Sequence, residues 1–113
     1  MGERVYRLLV VGDRVGHERE WARCSAGSFR ADVLPLRVAV KTPPEQQTLV
    51  DINLDDFSKL PTLKNWLSQK PGNAKIVIAI DKGSRLQEAR AYALGATAII
   101  HRPIIPETLL RKI

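Results

Sequence analysis

The run KIVIAI at Lys75–Ile80 constrains the fold more than any other stretch of the chain. After its leading lysine every residue is apolar, so a strand here has both faces buried instead of alternating between core and water. Strands of that kind lie inside parallel sheets covered by helices on both sides. The flanking sequence agrees. Pro71-Gly72 breaks the chain before the run, and Asp81-Lys82-Gly83 turns it afterwards.

The same grammar repeats along the chain. Val5–Val11 (VYRLLVV) reads as a strand running into a turn at Gly12-Asp13. Gly16–Ala26 reads as a helix closed by Gly27. Asp32–Val40 (DVLPLRVAV) reads as a second strand, with Pro35 near its start or at a bend. The polar link Lys41–Gln47 holds two prolines and is too short for a full helix, and Thr48–Ile52 forms a third strand. Pro61 sits where a first helical turn tolerates it, and TLKNWLSQK continues that helix. Ser84 with Gln87 makes a capping-box pattern and Gly95 a closing residue, with Leu86, Ala89 and Ala93 expected on the buried face. Ala98–Ile100 is a fifth strand, and Pro106 opens a last helix. Alternating strands and helices predict an α/β domain with a parallel sheet.

Composition narrows the class. At 113 residues the chain is one domain with a real core, and 44% hydrophobic content is ordinary for a globular protein. No stretch is apolar enough to cross a bilayer, the first residues lack a signal-peptide pattern, and Cys24 has no second cysteine to pair with; a cytoplasmic protein is expected. The net charge of +6 raises nucleic acid as a partner. However, residues 1–41 hold eight basic and five acidic residues and residues 42–113 hold ten and seven, so the excess is spread evenly. An evenly solvated surface is the reading taken. His17 and His101 lack metal-ligand partners at useful spacing, and no glycine-rich phosphate loop is present.

In open parallel sheets, sites form at the carboxyl ends of strands. Here those ends carry Gly12-Asp13, Asp51, Asp81-Lys82 and His101-Arg102-Pro103. Three acids and one guanidinium are expected to converge on one rim. Asp55 and Asp56 follow Asp51 in LVDINLDD, where a solvated turn at a helix start would also place them.

In the order LLVVGD, VDINLDD and ALGATAIIHRPI, with a buried strand between the last two, the chain resembles the receiver domain of response regulators (CheY-like) over nearly its full length. The resemblance implies a flavodoxin-like, doubly wound sheet of five parallel strands in the order 2-1-3-4-5, with the second helix short or missing. It implies that Asp51 corresponds to the phosphoacceptor, that Asp13 belongs to a magnesium-binding acidic pair, and that positions 81 and 102 face the phosphoryl oxygens. It also implies a cis bond between Arg102 and Pro103.

This chain departs from the receiver pattern at four places. Gly12 stands where the first acid of the pair belongs, Asp81 where a Ser or Thr belongs, Arg102 where a Lys belongs, and Ile99 where an aromatic belongs. Asp13, Asp51 and a carbonyl near Asn53 could still hold magnesium, weakly, since the missing acid removes a charge from the shell. Asp81 matters more. A hydroxyl donates to a phosphoryl oxygen, whereas an ionised aspartate only accepts. Two like charges about 4 Å apart repel by roughly 4 kcal/mol at an effective dielectric of about 20. The planar fork of Arg102 would match either Asp51 or Asp81.

The expectation is a degenerate receiver-like regulatory domain, 1–113, without turnover of its own, forming the N-terminal part of a larger signalling protein. Expected partners are an output domain in the same polypeptide, a histidine kinase or phosphotransfer protein, and a second copy of the chain. The dimer face would include Arg90, Tyr92 and Arg111. Alternatives are a working receiver phosphorylated on Asp51 with magnesium, and a small-molecule-binding domain on the same sheet, which a large apolar pocket at the rim would favour. Nucleic-acid binding ranks last.

Overall fold

The computed structural model describes residues 6–12, 29–102 and 106–112. Five strands, β1 (Tyr6–Gly12), β2 (Phe29–Leu34), β3 (Gln47–Asp51), β4 (Lys75–Ile80) and β5 (Ala98–His101), form one sheet in the order β2-β1-β3-β4-β5. Every pairing is parallel. The described residues also form four helices, α1 (Leu36–Ala39), α2 (Leu60–Leu67), α3 (Arg85–Leu94) and α4 (Pro106–Lys112), with a short 3-10 turn at Phe57–Lys59 leading into α2. The helix expected at Gly16–Ala26 lies outside the described residues.

Strand periodicity divides the core into two layers. Leu9, Val11, Val50, Ile76, Ile78 and Ile80 point to one face, against Leu36 and Ala39 of α1, Leu63, Trp66 and Leu67 of α2, and Ala91 and Leu94 of α3. Leu8, Val10, Leu49, Val77 and Ala79 point to the other, where Leu109 of α4 packs. The KIVIAI run therefore feeds both layers, as its composition requires. Gly12 pairs with Asp51 and Ile80 with His101, so the carboxyl ends of the central strands finish close to one level. That level is the rim.

The second strand is shorter than its sequence suggests. It stops at Leu34, and LRVA forms a single helical turn after Pro35. A proline cannot extend a ladder from its nitrogen. Once the chain turns there, Leu36 and Ala39, three apart, become the buried pair, while Arg37 and Val38 face outward. Short apolar runs fit either period, which is why the alternation in LPLRVAV misled. The helix expected to be short or missing between the second and third strands is accordingly the four-residue α1.

Helix α3 differs in phase. Ser84 caps it by accepting from Gln87 N at 3.2 Å, and Gly95 ends it at φ 108°, a left-handed conformation that suits glycine. Its buried residues are Gln87, Ala91 and Leu94. Leu86, Ala89 and Ala93 face solvent, Leu86 at 58% exposure. The capping box is also only half made, because the Gln87 side chain turns into the rim instead of back to Ser84.

Trp66 couples α2 to the link before β3. It is fully enclosed, and its indole Nε1 donates to Thr42 O at 2.7 Å. Trp66→Ala should lower the unfolding free energy by about 3–5 kcal/mol in urea titrations. Leu86→Ala, at the position the sequence pattern assigned to the core, should change it by less than about 0.5 kcal/mol. A large loss at Leu86 would contradict the phase of α3 described here.

Candidate functional site

The rim is organised around one guanidinium. Arg102 follows β5 directly, and its backbone N–H donates to Ile80 O at 2.9 Å, which sets the side chain over the ends of β3 and β4. Its Nε donates to Asp51 Oδ1 at 2.9 Å, its Nη1 to Asp81 Oδ1 at 3.1 Å, and its Nη2 to Ile52 O at 3.0 Å. Both carboxylates matched to Arg102 in the sequence are thus held at once. Asp51 is only 1% exposed, so its charge is removed from water and needs partners within the protein, of which Arg102 is one. Asp81 is largely solvated, and its bond to Arg102 is correspondingly weaker.

A second polar chain runs from Asp81. Gln87, buried on α3, accepts from Asp81 N at 2.7 Å through Oε1 and donates through Nε2 to Asp81 Oδ2 at 3.0 Å and Asp55 Oδ2 at 3.1 Å. Asp55 also receives Arg90 Nη1 at 3.0 Å, and the Arg90 guanidinium lies 4.5 Å from the centroid of the Phe57 ring. Gln87, Asp55 and Arg90 escaped the sequence reading as site residues. The Ser84–Gln87 spacing was the one signal available, and it pointed to a cap.

The three acids of LVDINLDD therefore have three environments. Asp51 is buried against Arg102. Asp55 joins the Gln87–Arg90 network. Asp56 caps the 3-10 turn, accepting from the Ser58 hydroxyl at 2.6 Å and its N–H at 3.2 Å, contacts that hold its carboxyl below the usual range. Asp56 is the helix-start acid of the three.

Asp13 and Pro103 lie outside the described residues, and with them the second acid of the expected pair and the bond expected to be cis. Among the described residues no cluster of three or more His, Cys, Asp or Glu is arranged to hold a metal ion. Arg102 stands 2.9 Å from Asp51 Oδ1, so a fixed cation already occupies one oxygen of the carboxylate expected to ligate magnesium. Ile99 is half-buried against the α2–α3 layer. Of the expected dimer-face residues, Tyr92 and Arg111 are exposed, whereas Arg90 is folded inward onto Asp55, Leu54 O and Phe57.

No family model and no curated protein sequence matches the chain. Solved structures do. The chemotaxis response regulator CheY4 of Vibrio cholerae superposes with a TM-score of 0.71 at 18% identity, covering 95% of this chain and 94% of that one. A CheY-like response regulator receiver domain protein from Methanospirillum hungatei gives 0.72 at 20% identity, over 96% and 90% of the two chains. The fold is that of the receiver domain. A pilus assembly protein CpaE from Caulobacter crescentus gives 0.73 at 14% identity, over 98% and 92%. On this receiver fold Asp51 ends the third strand and Arg102 follows the fifth. Among the described residues no helix is long and apolar enough to cross a membrane.

The Asp51–Arg102 pair invites a direct test. Arg102→Ala removes the cation beside a buried carboxylate and should cost about 3–5 kcal/mol of stability at neutral pH. Asp51→Leu combined with Arg102→Met should recover most of that loss, because the pair is replaced by apolar groups of similar bulk. Equal instability of the single and double variants in urea unfolding would show that the pair is not coupled.

Proposed function

We propose that this receiver fold is a degenerate regulatory module that acts through protein–protein contact and not through ordinary phosphoryl switching. The observation that carries the reading is the placement of Arg102, whose guanidinium holds Asp51, Asp81 and Ile52 O together. Phosphorylation of Asp51 would need one of its carboxylate oxygens to attack phosphorus and a donor at position 81 for the phosphoryl oxygens. Asp81 supplies an acceptor and a negative charge instead, against a group carrying about −1.5 to −2. Arg102 thus does internally what an incoming phosphoryl group and its cation would do in a switching receiver. Ile99 has no ring to rotate, so the usual read-out is missing as well.

Magnesium would bind here only if Arg102 withdrew, with Asp51 and Asp13 as its carboxylate ligands. The partners that fit are an output domain in the same polypeptide, or a second copy of the chain meeting it through Tyr92 and Arg111, which stand on exposed surface. The CpaE likeness supports a role in assembly or regulation by contact, since that receiver-fold protein is described as a pilus assembly protein. A cytoplasmic module with no turnover follows from the same reading.

Incubation with magnesium and acetyl phosphate should leave the chain without a stable acyl phosphate by intact-mass spectrometry. Beryllofluoride should bind weakly and leave the amide spectrum of β5 unmoved. Asp81→Thr should raise phosphorylation more than Ile99→Tyr, because the first removes a repulsive charge and restores a donor. Efficient magnesium-dependent phosphorylation of the unmodified chain, abolished in Asp51→Asn, would establish the working receiver in place of this reading.

A further inference from the structure

Where the 3-10 turn and α2 meet α3 lies a groove of about 400 Å³. Phe57, Leu60 and Pro61 line it from the turn and the start of α2, Ala93 lines it from α3, and Lys64 and Arg90 bring two cations to it. We propose that this groove docks a partner protein through an acidic helical segment that inserts one aromatic or leucine side chain. The proposal rests on the reading that the module acts by protein–protein contact, and it names the face used and the chemistry of the partner.

Apolar surface is left open here. Phe57 is 65% exposed although the Arg90 guanidinium stands 4.5 Å from its ring centroid. Arg90 is itself tied to Asp55 and to Leu54 O, so the ring packs on a fixed partner. On α3, Leu86 is 58% exposed and lies one turn before Arg90, and Ala89 and Ala93 share its face at spacings of three and seven residues. The apolar surface therefore continues along α3 beyond the groove, in the register by which one helix docks on another.

Charge selects the occupant. From Phe57 to Lys70 the chain carries three lysines and no acid, and no carboxylate lines the groove. Asp55 and Asp56, which precede Phe57, are turned to Gln87 and Arg90 and to Ser58. Lys64 is exposed and holds no ion pair among the described residues, so its ammonium is open to a carboxylate from outside. A second copy of the chain fits less well, because a two-fold pairing would set this lysine-bearing segment against itself.

The test is selection from a phage-displayed library of random peptides on the immobilised chain. Synthetic copies of the enriched peptides are then titrated into the isotopically labelled chain. Those peptides should carry Asp or Glu around a Phe, Trp or Leu, and should move the amides of Phe57, Leu60, Lys64 and Ala93. Lys64→Glu and Phe57→Ala, both at exposed positions, should each weaken binding about tenfold. Lys75→Glu, the same charge change at the exposed start of β4, should weaken it less than about twofold. Urea unfolding of all three variants should match the parent chain, since none of these side chains is buried. Absence of enrichment, enrichment of basic or uncharged peptides, or shifts confined to Tyr92 and Arg111 would overturn the groove. Self-association that moves the groove amides as protein concentration rises would give the groove to a second copy and overturn the acidic partner. Failure in any of these ways leaves the Asp51 reading standing, whereas efficient phosphorylation of Asp51 would end that reading whatever the peptides do.

Discussion

A buried carboxylate is an unstable thing to place at the end of a strand, and the rim of this domain is arranged around one. Asp51 has lost its water, and the guanidinium of Arg102 stands in for it. Because Arg102 comes from the segment after β5 and Asp51 from the end of β3, the contact spans β4, which lies between them in the sheet. The same side chain takes Ile52 O and Asp81 Oδ1, so the ends of three neighbouring strands are held by one residue. A buried ion pair of this kind is weak evidence for net stability, because desolvation offsets much of the attraction between its members.

The second organising contact is Gln87. Its amide satisfies Asp81 N and reaches both Asp81 and Asp55, which draws that edge of α3 inward. A helix has one phase, so burying Gln87 with Ala91 and Leu94 turns Leu86, Ala89 and Ala93 to solvent. A polar residue thus displaced a leucine from the core. The displacement is affordable because each of Gln87's side-chain polar atoms has a partner, which removes the usual cost of burying an amide.

Among the described residues these contacts pair Asp51, Asp55 and Asp81 with Arg102, Gln87 and Arg90. A receiver that switches needs an acid exposed to an incoming phosphoryl group and a hydroxyl able to follow it. Here position 81 carries a carboxylate, and the basic residue reaches three acceptors at once through a planar fork.

The sequence by itself determined the class of sheet. An apolar run such as Ile76–Ile80 has no solvent-facing side and must be covered twice, and glycines, prolines and caps marked where the chain turned. It also determined that Asp51, Asp81 and Arg102 would share one rim, because strand ends in a parallel sheet lie at one edge. Tertiary structure decided the rest. The turn after Leu34 became helix because Pro35 ended the ladder and two residues three apart could both reach the core. Which face of α3 is buried was decided by the acids opposite Gln87, thirty-two residues away in the case of Asp55. That Arg102 would hold both acids, not one, depended on distances between three strand ends, and no local pattern in a sequence encodes a distance across a sheet.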